Sequence, residues 1–574
     1  MKKILSLFFV AFVFLAKNSM FSLENQAIFS DYESVSKNLP ENIDFWSDYP
    51  SETLAMALVA RMSNEELLSQ ILMFGWAGAE PDNLLYQWVG GRGLGSVKVF
   101  GWNTDDINLV AKSISSLQKS AAARRFKIPL FVATDQEGGW IRHVKGETAV
   151  TPGNMAIGSS GYPVDAWYSA YYISKEIKAL GINMNFAPTV DLFTNHDSTI
   201  IGTRSFGDNP ENAGILGAAW ANGSQTAGVI PTVKHFPGHG DTQYDSHIHL
   251  PEIQIDFETF ENRELVPFKY LIKENVPAVM SGHLSFPEID KSGAPASLSK
   301  YFLTELLRNQ LGFDGLIITD DMMMNGATTY AGSVSNAFRM AIEAGNDIVI
   351  SSTTARLGES LWTNNLSLME RDLDFLERVK DAAFRVIKAK LEYFKNNNAA
   401  PLYPDASTIS NYIPDKEGRK FFLEQACRSV AVYKKTYLPL KNEDAGRVLL
   451  CGSINSFFAE GKKRYSNNGI FTFSLEMGPN ETAWRSQDVK NYTSGYDTII
   501  VLVNNERSAT VAKALKDSGK KVIVFSIMTP TYSFPLDFAD DILLGYSWSD
   551  YTIQAMFGAL AGEFEPKGKL PFKE

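Results

Sequence analysis

Val229-Ile-Pro-Thr-Val-Lys-His-Phe-Pro-Gly-His-Gly240 joins an apolar run of strand length to a polar, glycine-bearing turn. The stretch before it, 212–227, carries apolar residues at helical spacing. Runs with the same layout occupy 68–74, 95–100, 130–134, 184–188, 278–281, 316–319 and 347–350, making eight with 229–234. Between them lie helical stretches such as 107–125, 165–180, 260–274 and 299–311. Strand alternating with helix implies a parallel sheet covered on both faces, and eight repeats imply a TIM-type (β/α)8 barrel, here over residues 45–395.

Outward from the barrel, a long helical segment at 366–396 leads into a Pro- and Asn-bearing linker at 396–414. Short β-branched runs then recur at 448–452, 469–475, 498–503, 521–526 and 541–545, with a helical stretch at 508–518. Five parallel strands of this kind predict a smaller, doubly wound three-layer α/β domain over 415–574. The fold class expected is therefore α/β throughout.

Composition narrows the functions. With 574 residues, 45% hydrophobic and 21% charged, the chain reads as globular with more than one core. The net charge of −11 and the absence of Lys/Arg clusters exclude a nucleic-acid partner. Two cysteines, Cys427 and Cys451, provide neither a disulfide framework nor a thiolate metal cluster. Lys2 and Lys3 precede the apolar run 4–16, after which small and polar residues appear. That is the layout of a signal peptide over residues 1–22, so the mature protein is expected to be exported, periplasmic or secreted, without an integral membrane span.

Four of the seven histidines fall between His235 and His249. Imidazole titrates near neutral pH, so this crowding points to metal ligation or proton transfer. His247 and His249 form a His-x-His pair, but in a mid-chain loop without the rigid backbone a metal cage wants; proton transfer is the reading preferred, with no metal and no cofactor expected. Gly90-Gly-Arg-Gly-Leu-Gly95 leads into a strand instead of joining strand to helix, and no P-loop motif occurs. Barrel enzymes work at the carboxyl ends of the strands, and here those ends carry Asp135, Glu137, Asp191, Lys234, His235, His283, Asp320 and Asp321. Retaining glycosyl transfer needs a nucleophilic carboxylate and a separate acid/base. The seventh run supplies an aspartate for the first, and Asp245 with His247 forms a dyad for the second. A histidine acid is neutral once it has donated its proton, so it does not repel an anion in the same site.

The ordered motifs resemble glycoside hydrolase family 3, in its bacterial β-N-acetylglucosaminidase, two-domain branch. They are Asp135-Gln-Glu-Gly-Gly139, Pro152-Gly-Asn-Met-Ala156, Asn185-Phe-Ala-Pro-Thr-Val-Asp191, Ile201-Gly-Thr-Arg-Ser-Phe206, Lys234-His-Phe-Pro-Gly-His-Gly240 with Asp245-Ser-His247, and Thr319-Asp-Asp-Met322. Gly568-Lys-Leu-Pro571 resembles the end of the family's second domain. The resemblance implies Asp320 as nucleophile and His247 as acid/base partnered by Asp245. It implies that Asp135, Arg204, Lys234 and His235 bind the sugar ahead of the cleaved bond. Where the family has an arginine, eight residues after the aspartate of the first motif, this chain has His143, with Arg142 just before it; both are candidate contacts.

The activity implied is that of a retaining exo-β-N-acetylglucosaminidase acting on peptidoglycan fragments or chitin-type oligosaccharides. A β-glucosidase or β-xylosidase of the family, an N-acetylglucosaminide phosphorylase, and a non-catalytic sugar-binding protein are the alternatives. The second domain is expected to be structural or substrate-positioning, without catalytic residues.

Overall fold

The computed structural model describes residues 32–242, 246 and 249–574. The signal-peptide reading at 1–22 and the Asp245 and His247 assignments lie outside the described residues. Among the described residues no helix is long and apolar enough to cross a membrane.

Eight strands close into a barrel: β1 (Leu72–Phe74), β2 (Ser96–Lys98), β3 (Phe131–Thr134), β4 (Met184–Asn185), β5 (Ile230–Phe236), β6 (Ala278–Ser281), β7 (Leu316–Asp321) and β8 (Ile348–Ser351). Each pairs in parallel with its neighbours in sequence, and β1 closes on β8. Helices such as Ile107–Ala122, Pro163–Ala179 and Pro210–Ala227 wrap the outside. The first run starts later than expected, because Ser63 and Glu66 form a reciprocal capping box that makes Asn64–Gln70 helical. The long helix expected at 366–396 is two helices, Ser360–Arg371 and Leu373–Phe394. Asp372 separates them, its carboxylate accepting the Phe375 amide at 3.0 Å as an N-cap.

The second domain has the five parallel strands expected and adds a sixth, antiparallel one, which makes its sheet mixed. Its strands are β9 (Ala431–Lys434), β10 (Val448–Gly452), β11 (Asn468–Thr472), β12 (Thr498–Val503), β13 (Lys521–Ser526) and β14 (Asp541–Leu544), in the order β9-β14-β13-β12-β10-β11. The unexpected β9 is an edge strand antiparallel to β14. Along the central strands alternate residues enter opposite cores: Leu449, Cys451, Ile499, Val501, Val522 and Val524 pack on one face. Leu450, Ile500, Leu502, Ile523 and Phe525 pack on the other. Burial on both faces is why these runs are continuously apolar. The first of these cores extends into the barrel through Met155, Ala156 and Phe193, so the domains share apolar packing.

Candidate active site

Six charged side chains meet at the rim where the barrel strands end. Lys98, the last residue of β2, places Nζ 2.9 Å from Asp135 Oδ2, while Lys234 of β5 places Nζ 2.6 Å from Asp135 Oδ1 and 2.7 Å from Glu137 Oε1. Arg204 grips Glu137 in fork geometry, Nε to Oε2 at 3.0 Å and Nη2 to Oε1 at 2.8 Å. All five are buried. With Asp320, three cations face three carboxylates, the arrangement that lets ionised groups persist out of water. Burial raises the Asp135 and Glu137 carboxyls, but the cations outweigh it: Lys234 and Lys98 hold Asp135 well below the usual range, and Arg204 with Lys234 holds Glu137 at about 2.

The two aspartates ending β7 divide their labour. Asp321 Oδ1 accepts the backbone amides of Met323, at 3.0 Å, and Ser352, at 2.9 Å, so its carboxylate shapes the turn. Asp320 Oδ1 accepts the Asp321 amide at 2.8 Å, and among the described residues its Oδ2 has His235 Nε2 at 4.0 Å. Burial pushes this carboxyl up, yet His235, His283, Lys98 and Lys234 together hold it well below the carboxylate range. An ionised oxygen that no described cation holds at short range suits a nucleophile.

Asp191, buried after β4, orients the histidines. Its Oδ2 lies 2.6 Å from His235 Nδ1, and its Oδ1 accepts the amides of His235 at 3.2 Å and His239 at 2.7 Å. His235 Nε2 thereby faces Asp320 and Arg204 Nη2, the latter at 3.4 Å. Burial pushes His239 down to about 4, so it stays neutral at physiological pH; its Nε2 is 3.2 Å from Ser246 Oγ. Ser246 also accepts the Gly326 amide through its carbonyl at 3.2 Å, and so the described residue between Asp245 and His247 sits on the segment that follows β7. His283 is held by Ser297 Oγ at 2.7 Å and by the Asp321 carbonyl at 3.0 Å.

The two candidates after the first motif behave differently. His143 Nδ1 lies 3.5 Å from Asp135 Oδ2, and burial pushes it down to about 4. Arg142 instead donates to Thr148, to its carbonyl at 2.7 Å and its hydroxyl at 3.0 Å, and steadies the loop. Beside His143, Trp102 stacks flat on Phe100 with ring centroids 4.4 Å apart and donates Nε1–H to the Trp76 carbonyl at 2.8 Å. It remains 50% exposed, a fixed indole at the rim. Sequence reasoning missed Lys98 and Trp102 and gave Glu137, Asp191 and His283 no role. The signal for Lys98 was a lone lysine between Val97 and Val99 in a strand otherwise buried on both sides.

The Glu137 pairing has a pH signature. A carboxyl lowered from its ordinary 4.5 to about 2 in the fold contributes stability that is complete above about 4.5 and lost as pH falls through about 2. Glu137→Gln is expected to flatten the acid dependence of the unfolding midpoint across that window, leaving the share due to Asp135. It is also expected to destabilise at neutral pH by about 3–5 kcal/mol, since Arg204 and Lys234 lose a buried anion. Denaturant titrations at stepped pH measure both effects, and unchanged acid dependence would mean that Glu137 is not the paired carboxylate.

Residues 64–388 match the family model described as "Glycosyl hydrolase family 3 N terminal domain". A "Beta-hexosaminidase A" of Pseudoalteromonas piscicida is 31% identical over 402 residues, which are 60% of this chain and 66% of the relative, just under two thirds of its length. A "Beta-hexosaminidase" of Pseudomonas aeruginosa (strain LESB58) is 35% identical over 229 residues, 40% of this chain and 68% of the relative. Among solved structures, a "glycoside hydrolase family 3 beta-N-acetylglucosaminidase" from Paenibacillus sp. str. FPU-7 superposes with a TM-score of 0.80 at 27% identity, covering 89% of this chain and 99% of that one.

Proposed function

The chain belongs to glycosyl hydrolase family 3, and on that premise we propose that it is a retaining, exo-acting β-N-acetylglucosaminidase. The observation that carries the reading is the division of carboxylates at the rim. Asp135, Glu137 and Asp191 are each held within 3 Å by a lysine, arginine or histidine nitrogen, and Asp321 Oδ1 by two backbone amides, while among the described residues Asp320 Oδ2 has only the longer contact to His235 Nε2, at 4.0 Å. Lys98, Lys234 and Arg204 donors interleaved with Asp135 and Glu137 acceptors suit a sugar ring, whose hydroxyls each donate and accept. The beta-hexosaminidase names of the relatives support N-acetylhexosamine as that sugar.

In the mechanism proposed, Asp320 Oδ2 attacks the anomeric carbon as the glycosidic bond breaks, and the protonated His247 ring gives its proton to the departing oxygen. A covalent glycosyl-Asp320 ester forms and His247 is left neutral. Water, deprotonated by that neutral ring, then attacks the same carbon, expels Asp320 and releases the sugar with its β configuration retained. Asp245 holds the other ring nitrogen and stabilises the charged form. The substrates proposed are peptidoglycan fragments or chitin-type oligosaccharides, and the site of action is outside the cytoplasm.

Assay of aryl β-N-acetylglucosaminides against aryl β-glucosides, with NMR detection of the first-formed anomer, tests this reading. N-acetylglucosamine released first as the β anomer, at a rate independent of added phosphate, is expected. Preference for glucosides, first release of the α anomer or a phosphorylated product would overturn it.

Trp102 makes a second prediction about substrate length. An exposed, clamped indole offers a face for a sugar unit or aglycone, and losing such a face costs about 1 kcal/mol, roughly fivefold in KM. Trp102→Ala is expected to raise KM for N-acetylglucosamine oligomers by that factor and to leave small aryl glycosides within about twofold. Equal changes on both classes would remove Trp102 from substrate recognition.

A further inference from the structure

Arg204 hangs on a weak element. It closes a single 3-10 turn, Gly202–Arg204, that has no side-chain cap, and Gly202 there sits at φ +44°. Such short turns depend on their surroundings. On the barrel side Asn154 Nδ2 donates to the Arg204 carbonyl at 2.8 Å, Ser205 Oγ donates to the Asp191 carbonyl at 2.7 Å, and the Phe193 amide donates to the Gly207 carbonyl at 2.9 Å.

The other side is supplied by the second domain. The Asp208 amide donates to the Pro571 carbonyl at 3.2 Å, and the Lys573 amide donates back to Asp208 Oδ2 at 2.9 Å. Upstream, the Lys569 amide donates to the Ser159 carbonyl at 3.0 Å. Between these ties Phe572, 5% exposed, packs edge-on against Phe193 at 4.9 Å and tilted on His196 at 5.1 Å between ring centroids. Gly207, at φ +137°, lies so close that a Cβ there would collide with the Pro571 carbonyl. Thr529 Oγ1 closes on Gly202, 3.2 Å from where its Cβ would stand. Both flanks of the Arg204 turn therefore rest on the second domain.

We propose that the second domain is a positioning element for the sugar site: residues 569–573, anchored by Phe572, strap residues 202–208 to the barrel and so hold the Arg204 guanidinium on Glu137. Its consequence for activity rests on the reading under Proposed function; the strap itself does not. Phe572 is a positioning residue, since it acts through Arg204 and touches none of the charged cluster. Misplacement by about 1 Å costs up to about a hundredfold in rate, so loosening the strap without unfolding it falls short of that.

Two measurements test it on the full chain. Hydrogen exchange of the amides at 202–208 needs no substrate: Phe572→Ala is expected to raise it at least about tenfold while the amides of the barrel strands stay protected. Unchanged exchange overturns the strap. Next, kcat/KM on an aryl β-N-acetylglucosaminide is compared in a cycle with Arg204→Lys. Phe572→Ala alone is expected to lower it about tenfold with Phe572→Leu restoring most of the loss, but to lower it less than about twofold in the Arg204→Lys background. Equal losses in both backgrounds mean that Phe572 does not act through Arg204 and overturn the positioning role. Asp208→Ala, which removes the acceptor of the Lys573 amide and leaves the second domain's core intact, repeats both measurements if Phe572→Ala does not fold. Wild-type enzyme without activity on any aryl glycoside would reject the functional reading and leave the exchange result to judge the strap.

Discussion

Asp320→Ala is expected to lower kcat on an aryl β-N-acetylglucosaminide by about 10⁴-fold or more while the protein keeps its fold. Without that oxygen no ester forms at the anomeric carbon, and the two easier steps revert to one hard displacement. Removing an anion from among Lys98, Lys234, His235 and His283 also leaves three cations facing two carboxylates, an electrostatic excess that a small anion can satisfy. Azide added to the variant is therefore expected to restore turnover and to give a glycosyl azide of inverted, α configuration, because it attacks from the face Asp320 used. Full activity in the alanine variant, or rescue that yields the β product, would displace Asp320 as nucleophile. The position of its carboxyl, far below the ordinary carboxylate range, adds a pH corollary: the acid limb of kcat/KM in the wild type belongs to another group, since Asp320 is ionised throughout the working range.

The barrel was legible because its periodicity is redundant: eight apolar runs alternate with helical stretches, and no single misjudged boundary alters the closure. Boundaries were less legible where a cap competed with hydrophobicity. Ser63 and Glu66 turned the start of the first run into helix, and Asp372 split a pattern that reads as one continuous amphipathic segment. Strand β9 went unread because Ala431-Val-Tyr-Lys434 is short, half-exposed and set at an edge, where one buried face leaves little signal. At the rim, strand-end logic selected Asp135, Lys234, His235 and Asp320, and the structure brings these together. It passed over Lys98 because a lysine within a strand normally faces solvent; this one is buried against the Phe100 and Phe186 rings, at 4.3 and 5.1 Å, with its ammonium on Asp135. It offered Arg142 and His143 as equivalent candidates, whereas the two-stranded hairpin Gln136–Gly138 with Ile141–Arg142 sends one to Thr148 and the other to Asp135. Contacts between distant segments, such as residues 569–573 on residue 208, have no local pattern and are seen only in the folded chain.

Replacing His247 is expected to separate substrates by their leaving groups. A disaccharide expels an alkoxide unless the departing oxygen is protonated, so His247→Ala is expected to lower kcat/KM on N,N′-diacetylchitobiose by about 10²–10⁴-fold. A dinitrophenyl glycoside leaves without help; its glycosylation step should change by less than about tenfold, and slow hydrolysis of the ester should then make the intermediate accumulate as a burst. The sign of the pH effect follows from the same chemistry. Imidazole donates only while protonated, so wild-type kcat/KM on the disaccharide falls as pH rises through the His247 pKa, and the variant on the activated substrate lacks that basic limb. Asp245→Asn keeps the ring but removes the charge that stabilises imidazolium, and should move the basic limb to lower pH and give an intermediate loss. Equal losses on both substrates would make His247 a binding or structural residue, and the acid would then have to be sought among the other rim groups. His239 and His143 are poor substitutes, because burial holds both near 4 and neither carries a proton to give at neutral pH. Within the short segment, burial therefore sets His239 apart as a neutral, positional imidazole, and the proposal leaves proton transfer to His247, the histidine with a carboxylate two residues away.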